Sequence, residues 1–245
     1  MSQRFVAFGE LLLRLDARGH SRLVQAEEFI ARYTGAEANV AVSLSTFGWE
    51  TWTVSKVPEG EIGQACINAI RRHGVSTEFV ARGGSRLGIL YVEMGASQRP
   101  TKVVYDRDGS SFREASPGDF DWRRILAGKD WLHVSGTAPA LGPGVVRLLE
   151  EGLRTARDLG LTVSLDCNYR SKLWSVEDAG RTLSALLPSV NVFVASPHDA
   201  AKLFGIAPER GLSAREASER QALERCRRFG LRAAAMTPRA GGPAS

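Results

Sequence analysis

The sequence predicts an α/β protein with a mostly parallel central sheet and a small group of strands outside that sheet. Short apolar runs rich in β-branched residues alternate with longer stretches of helical spacing, as in repeated strand–helix–strand units. At about 11–16 and 86–106, strand patterns occur without a helix between them. The 245 residues are 43% hydrophobic and 24% charged, which is typical of a globular protein and excludes disordered and fibrous classes. We expect a single domain over residues 1–245.

The elements follow in chain order from these patterns. Strands are predicted at RFVAFG, TWTVSKV, DWLHVSG, LTVSLD and VNVFVAS, and helices at ANVAVSLSTFG, EIGQACINAIRRHG, GPGVVRLLEEGLRTARDLG and LWSVEDAGRTLSALLP. Gly48, Gly74 and Gly160 end three of these helices, because glycine readily adopts the left-handed conformation that closes a helix. The strands within 11–16 and 86–106 end in Gly or Pro turns and are predicted to form a small antiparallel lid.

The last predicted elements are a helix and a strand. Ser213 and Glu216 have the spacing of a capping box, and Gly230 closes the helix. The segment LRAAAMT follows as a strand, whose pattern calls for a further crossover helix and strand, but the sequence continues as PRAGGPAS and stops. We therefore expect the chain to lack the last elements of its fold.

Charge and cysteine content limit the classes of function. The net charge is +5, and the most basic stretch, 220–232, contains Glu224 rather than a continuous cationic stripe, so no nucleic-acid partner is expected. No run of about 18 apolar residues exists, so neither a membrane span nor a signal peptide is predicted. Cys66, Cys167 and Cys226 are odd in number and widely spaced, which argues against a disulfide framework and a zinc site. A cytoplasmic protein is expected.

Two segments carry polar residues where ligands commonly bind. In TGAEANVAVSLSTFG, Gly35 permits a close backbone approach and Asn39 enters a helix that begins at once, which suits either a polar ligand or an ordinary turn before an amphipathic helix. In LDCNYRSKLW, a buried-looking strand is followed by Asp166, Asn168 and Arg170. The carboxyl end of a strand is where α/β sheets bind ligands, so a binding role is favoured there.

A third segment alternates polar side chains along a strand. KVVYDRDGS places Tyr105 and Arg107 on one strand face, and the earlier strand GILYVEM contributes Tyr91. A pocket wall and a solvated edge strand are both compatible with this pattern. The four histidines have neither metal-ligand nor catalytic-triad spacing, so no metal site is predicted from them.

Together these segments resemble the PfkB or ribokinase-like family of carbohydrate kinases, most closely its 2-keto-3-deoxygluconate kinase branch. The resemblance runs from about Phe5 to Thr237 and is carried by AFGELLLRL, TGAEANVAVSLSTFG, KVPEGEIGQACINAIRRHGV, KVVYDRDGS, WLHVSGTAPAL and LDCNYRSKLW. Ribokinases usually have Gly-Lys-Gly-Ala-Asn, and fructokinases Gly-Ala-Pro-Ala-Asn, where this chain has Gly-Ala-Glu-Ala-Asn at 35–39. Glu37 therefore favours the keto-deoxy sugar acid branch. The resemblance implies a ribokinase-like layered α/β/α domain with a β-strand lid.

The resemblance also implies a reaction: transfer of the γ-phosphoryl group of ATP, with Mg²⁺, to the primary hydroxyl of 2-keto-3-deoxygluconate. Substrate-binding residues would be Gly35, Asn39, Tyr91, Tyr105, Arg107 and Arg170. A carboxylate substrate suits the planar cationic forks of the two arginines. Asn168 and Arg170 would also reach the transferring phosphates, where a cation stabilises spreading charge. Family members often form homodimers through the lid, so a homodimer is a further expectation.

Two departures from the family pattern affect these expectations. At the family's Asn-x-x-Glu element, which organises magnesium and phosphate, this chain has Ser196 and Asp199 as the matching end positions. They are candidate cofactor-binding residues, but Ser196 as N-cap and Pro197 at the first helical position equally make a helix start without a metal. The family's Gly-Ala-Gly-Asp segment, with its aspartate base, would lie beyond Ser245, so no catalytic residue is assigned. Little or no turnover is expected of this chain, and the competing interpretations are an inactive sugar-acid-binding remnant, a related kinase such as a fructokinase, and a nucleoside-binding protein.

Overall fold

The computed structural model describes residues 3–209 and 211–237. Backbone contacts divide the chain into two compact units, one ending at Lys129 and one beginning at Asp130. Each unit has its own strands and helices. A single domain over 1–245 stays a prediction.

The first unit contains parallel strands with helices and a second, smaller sheet, and the strands of the two sets alternate along the sequence. Its strands are β1 Arg4–Phe8, β2 Leu12–Ala17, β3 Phe29–Thr34, β4 Glu50–Val57, β5 Val80–Arg82, β6 Gly88–Glu93 and β7 Lys102–Asp106, and its α-helices are α1 Ala36–Thr46, α2 Glu61–Arg71 and α3 Trp122–Leu126. Strand β4 pairs in parallel with β1 on one side and with β5 on the other.

Phe8, the last residue of β1, anchors an aromatic cluster in the core of this unit. Its ring centroid lies 5.3 Å from Phe112, 5.7 Å from Phe120 and 5.0 Å from Trp122, in tilted or edge-to-face contacts that aromatic rings prefer. The cluster is buried. It therefore fixes the end of β1, and the loop that begins at Gly9 leaves from a rigid point.

The small sheet has the order β3-β2-β6-β7 and is mixed rather than antiparallel. The pairs β2–β3 and β6–β7 are antiparallel, but β2 and β6 run parallel. The prediction of a purely antiparallel lid was therefore wrong in that one pairing, because the long connection between β2 and β6 allows them to pair in the same direction. Strand β3 was not predicted at all, since most of it is exposed and it has no alternating apolar and polar faces.

The second unit is a parallel α/β arrangement. Its strands are β8 Trp131–Ser135, β9 Thr162–Asp166, β10 Val192–Ala195 and β11 Ala233–Met236, in the order β11-β10-β9-β8 with every described pair parallel. Its α-helices are α4 Pro143–Asp158, α5 Val176–Leu186, α6 Pro197–Phe204 and α7 Ala214–Phe229. The predicted capping box at the start of α7 is confirmed, and Gly230 ends the helix in the left-handed conformation.

Within the described residues, parallel strands in both units together with the small mixed sheet confirm the predicted α/β class. The glycines at 48, 74 and 160 have φ of 87°, 79° and 76°, as expected for residues that end helices. Across 3–209 and 211–237, no helix is both long and apolar enough to cross a lipid bilayer.

Candidate functional site

A buried ion pair joins the loop after β1 to the end of β7 in the first unit. The Arg107 Nε donates to Glu10 Oε2 at 2.5 Å, and its Nη2 contacts the same oxygen. Ser110 donates from Oγ to the other carboxylate oxygen of Glu10, also at 2.5 Å. The side chains of Arg107 and Glu10 are 6% and 1% exposed. The structure thus places predicted Arg107 in a fixed position, held by an acidic partner that the sequence reasoning did not assign to it.

Three glycines make room for two buried carboxylates at this place. A Cβ on Gly35 would lie 2.7 Å from the backbone oxygen of Glu10, and one on Gly88 would lie 2.7 Å from Glu10 Oε1. A Cβ on Gly9 would lie 1.9 Å from the carboxylate of Glu37, which is buried at the start of α1. Real Cβ atoms are not found at such distances, so a larger residue at Gly9 or Gly88 would displace a carboxylate, and one at Gly35 would displace the backbone of Glu10.

Asn39 lies in the first turns of α1 and is exposed. The Thr34 hydroxyl donates to Asn39 Oδ1 at 3.1 Å, which orients the amide at the end of β3. Gly35 is the N-cap residue of α1 and provides no side-chain cap. The start of this helix therefore presents backbone N–H groups and the Asn39 amide, which together can bind an oxygen-rich ligand.

Tyr91 and Tyr105 lie on opposite faces of the mixed sheet. Tyr91 is directly opposite Val104, whereas Tyr105 is directly opposite Leu90, and neighbours along a strand point to opposite faces. The two tyrosines therefore do not line one surface of the sheet together. Tyr91 packs edge-on against Phe29 on its face, with ring centroids 6.2 Å apart. A substrate contact by each tyrosine stays a prediction.

A cavity of about 840 Å³ lies in the second unit. It is bordered by the segments that follow β9 and β10 and by α7, which agrees with the expectation that ligands bind at the carboxyl ends of parallel strands. Its lining comprises Asp166, Asn168, Tyr169, Arg170, Ser196, Pro197, His198, Asp199, Pro208, Ala214, Ala217, Ser218, Gln221 and Thr237. The four predicted cofactor-binding residues, Asn168, Arg170, Ser196 and Asp199, are thus brought together in one cavity.

The electrostatics of this cavity centre on Asp166. Burial raises the pKa of Asp166, and the charge of Asp199 acts in the same direction, while the Asn168 N–H and the charge of Arg170 oppose both. The Asn168 backbone N–H donates to Asp166 Oδ1 at 3.0 Å, and Asn168 has a φ of 38°, uncommon for a residue other than glycine. A cation in the cavity would lower the pKa of this carboxyl group.

Ser196 and Asp199 form the helix start that one of the two sequence interpretations predicted. Ser196 is the N-cap of α6, its Oγ accepts from the Asp199 N–H at 3.0 Å and donates to Asp199 Oδ2 at 2.8 Å, and Pro197 is in the first turn. The capping interpretation is confirmed. Asp199 Oδ1 takes no part in these two bonds. A cofactor contact by Ser196 or Asp199 stays a prediction.

Some site residues had little signal in the sequence. Ser218 and Gln221 line the cavity from α7 and are buried, but their segment reads as a surface helix because Arg and Glu surround them. The role of Glu10 had one signal: a carboxylate placed two residues after a buried strand, where site residues commonly lie.

Comparisons with known proteins show the family to which the chain belongs. The model of the pfkB family of carbohydrate kinases matches residues 2–228. The chain is 36% identical over 199 residues to the 2-dehydro-3-deoxygalactonokinase of Haloferax volcanii, covering 81% of this chain and 62% of that protein. It is 27% identical over 171 residues to the 2-dehydro-3-deoxygluconokinase of Bacillus subtilis, covering 69% of this chain and 52% of that protein. The chain thus spans less than two thirds of the length of either curated relative.

The fold of this chain is also similar to the folds of solved carbohydrate kinase structures. The crystal structure of the 2-dehydro-3-deoxygluconokinase from Thermotoga maritima matches with a TM-score of 0.91 and 42% identity, over 96% of this chain and 72% of that one. A PfkB family carbohydrate kinase from Listeria grayi matches with a TM-score of 0.82 and 36% identity, over 89% and 68%. These likenesses confirm the predicted ribokinase-like fold, and with the match over residues 2–228 they show that the chain belongs to the pfkB family of carbohydrate kinases.

Proposed function

We propose that the protein is an ATP-dependent kinase of 2-keto-3-deoxygluconate, also named 2-dehydro-3-deoxygluconate, and phosphorylates its primary hydroxyl to give the 6-phosphate. The observation that carries the proposal is the fixed Arg107 guanidinium beside the glycine-lined start of α1. An ordered planar cation is suited to the carboxylate of a sugar acid and adds nothing comparable for a neutral sugar. The names of the relatives from Bacillus subtilis and Thermotoga maritima support this substrate.

Sugar binding is assigned to the first unit through Gly35, Asn39, Arg107 and one of the two tyrosines, since Tyr91 and Tyr105 lie on opposite faces of the mixed sheet. Gly35 and Asn39 would receive sugar oxygens at the start of α1, and Arg107 the carboxylate. Arg170, on the exposed segment after β9, is assigned a charge-assisted contact with anionic groups, either carboxylate or phosphate. No residue of this chain is assigned as the general base.

ATP binding is assigned to the cavity of the second unit. Asp166 and Asp199 supply the hard carboxylate oxygens that Mg²⁺ prefers, and the raised pKa of Asp166 fits a place that gains from a cation. Among the described residues, no cluster of three His, Cys, Asp or Glu could hold a metal. The cavity therefore suits Mg²⁺ that arrives with nucleotide phosphates, since such ions take only one or two protein carboxylates. When bound, Mg²⁺ would neutralise charge on the transferring phosphoryl oxygens.

A second candidate substrate is 2-dehydro-3-deoxygalactonate, which differs from the first at one hydroxyl-bearing carbon. The observation in its favour is the 36% identity to the Haloferax volcanii 2-dehydro-3-deoxygalactonokinase. An inactive remnant that binds a sugar acid would share the same Arg107 site. A fructokinase would not require it, because fructose has no carboxylate.

Titration calorimetry of the chain with the two sugar acids, fructose and adenosine tests the proposal. We expect either acid to bind more tightly than fructose, and adenosine alone to bind if the protein is instead a nucleoside-binding protein. Arg107→Ala and Arg170→Ala should each weaken acid binding by roughly 1.5 to 3 kcal/mol, the range for charge-assisted hydrogen bonds. Equal affinity for fructose, or variants that lose only thermal stability, would contradict the proposal.

A cytoplasmic homodimer completes the proposal. The free cysteines at 66 and 167, both buried, suit a reducing compartment, and ATP is a substrate of the cytoplasm. Phe29 and Val104 are exposed apolar residues on the outer strands of the mixed sheet, and they support self-association through that sheet. Analytical ultracentrifugation of the wild-type chain and of Phe29→Asp measures the oligomeric state. We expect a dimer for wild type and a monomer for the variant, and a monomeric wild-type chain would rule the dimer out.

A further inference from the structure

Glu10 has no role in the sugar chemistry described so far, yet it is a buried acid at the first unit's site. Its carboxylate receives Arg107 on one oxygen and the Ser110 hydroxyl on the other. Gly88 and Gly35 lie so close to Glu10 that a Cβ on either would come within 2.7 Å of one of its oxygens. Both carboxylate oxygens of Glu10 are therefore held by neighbouring side chains.

The way in which Glu10 engages Arg107 leaves one part of the guanidinium unused. The bonds use Nε and Nη2, whereas Nη1 has no hydrogen-bond partner in the part of the chain that the structure describes. An arginine side chain ordered in this way on folding does not lose rotamer freedom again when a ligand arrives. The ion pair therefore orders the free Nη1 edge in advance.

We infer that Glu10 is a positioning residue that holds Arg107 so that its Nη1 edge can receive the carboxylate of a sugar acid, and that Ser110 fixes Glu10 in turn. The inference rests on the proposed function. It assigns acid selectivity to a tether of three side chains rather than to the arginine alone.

Two neighbouring serines provide a matched pair of variants. Ser110 and Ser111 are adjacent and both buried, but Ser110 donates to Glu10, whereas Ser111 donates to the backbone oxygen of Arg86. Ser110→Ala and Ser111→Ala each remove one buried hydroxyl without changing any charge. Only Ser110→Ala removes a hydrogen bond to the Glu10 carboxylate.

The experiment measures the dissociation constants of 2-keto-3-deoxygluconate and of its uncharged carboxamide for wild type, Glu10→Gln, Ser110→Ala and Ser111→Ala. Glu10→Gln should weaken the acid by about three- to tenfold, as expected when an arginine must be ordered on binding, and Ser110→Ala by less. Ser111→Ala should bind as wild type, and carboxamide affinity should be unchanged in all four. A general loss of structure would instead weaken both ligands together.

Nitrogen-15 NMR of the Arg107 Nε–H, assigned by its loss in Arg107→Lys, reports the tether without any ligand. Its hydrogen exchange should be slow in wild type and fast in Glu10→Gln. Slow exchange in Glu10→Gln, or folded Glu10→Gln and Ser110→Ala variants that bind the acid as wild type, would overturn the inference. If wild type binds neither ligand the proposed function fails, and the exchange rate still decides whether Glu10 holds Arg107.

Discussion

Gly35 is required by packing as well as by the binding role proposed for it. Its φ of −173° is available to any residue, so backbone strain is not the reason. The reason is the 2.7 Å that would separate a Cβ from the backbone oxygen of Glu10. A larger residue must therefore displace the loop that carries Glu10.

Gly35→Ala should lower the free energy of unfolding by about 1 to 3 kcal/mol, the usual cost of overpacking. Gly60 provides the control, because it also immediately precedes a helix, and a Cβ there would meet nothing within 4 Å. Gly60→Ala should change stability by less than about 0.5 kcal/mol. Urea denaturation measures both, and equal effects of the two substitutions would show that the close approach at Gly35 relaxes easily.

Arg225 is the other residue whose environment the sequence does not suggest. Its side chain is fully buried against the Phe193 ring, with the guanidinium carbon 5.3 Å from the ring centroid, and Nη2 donates to Met236 Sδ at 2.6 Å. Among the described residues, its Nε and Nη1 have no hydrogen-bond partner. Burial lowers the pKa of Arg225.

Arg225→Met should therefore raise the free energy of unfolding of this chain, by about 1 to 3 kcal/mol, because it removes buried unsatisfied donors and keeps most of the side-chain volume. Arg227→Met, on the exposed side of the same helix, should change stability by less than about 0.5 kcal/mol. Thermal and urea denaturation give the comparison. A destabilised Arg225→Met variant would mean that the ring and sulfur contacts outweigh the missing hydrogen bonds.

At the scale of elements, the parallel strands could be predicted because each is a short apolar run. The strands at RFVAF and TVSLD are buried through most of their length and VFVA through half of it, so their apolar sequences alone mark them. Strand β3 could not be predicted in the same way, since its stability comes from pairing with β2 along an exposed sheet. The parallel pairing of β2 with β6 is equally invisible in sequence, because strand direction is decided by the path of the chain between them.

The candidate site was predictable in part for the same reason. Asn168 and Arg170 follow a buried strand directly, so their location needed only the position of that strand. The Glu10–Arg107 pair joins residues 97 apart in sequence, and no local pattern reports a contact over such a distance. The separation of Tyr91 from Tyr105 likewise depends on the strand register, which sequence spacing did not provide.

The start of α6 allows its capping and cofactor roles to be separated. Ser196 and Ser175 are both N-caps whose hydroxyl accepts from the N–H three residues on. Ser196→Ala and Ser175→Ala should each cost about 1 kcal/mol of stability, the typical value for losing such a cap. Only Ser196→Ala should also weaken ATP binding, because only Ser196 lines the cavity. Equal ATP affinity in the two variants would leave Ser196 with the capping role alone.

The stability of the whole chain should depend on pH through His133. Burial lowers the pKa of His133 to about 4 from its ordinary 6.5, and the ring lies 2.8 Å from the Ser164 hydroxyl. The folded state thus keeps the ring neutral, while the unfolded state takes up a proton below pH 6.5. The contribution of His133 to the free energy of unfolding is fully present above pH 6.5 and is lost as the pH falls from 6.5 toward 4.

That loss amounts to about 3 to 4 kcal/mol for a pKa lowered from 6.5 to about 4, at about 1.4 kcal/mol per pH unit. His133→Asn removes the titration, so the difference in unfolding free energy between wild type and variant should shrink by this amount over the same range. Urea denaturation at several pH values measures it, and the subtraction cancels the other titrating groups. A difference that stays constant with pH would show that the ring titrates normally.

The central claim is that the buried arginine of the first unit recognises the carboxylate of a keto-deoxy sugar acid. A crystal structure of the chain soaked with 2-keto-3-deoxygluconate tests it most directly. The carboxylate should lie about 2.7 to 3.2 Å from Arg107 Nη1, with Glu10 still on Nε and Nη2 and sugar oxygens near Gly35 and Asn39. An acid whose carboxylate binds elsewhere, while Arg107 contacts Glu10 alone, would contradict the account.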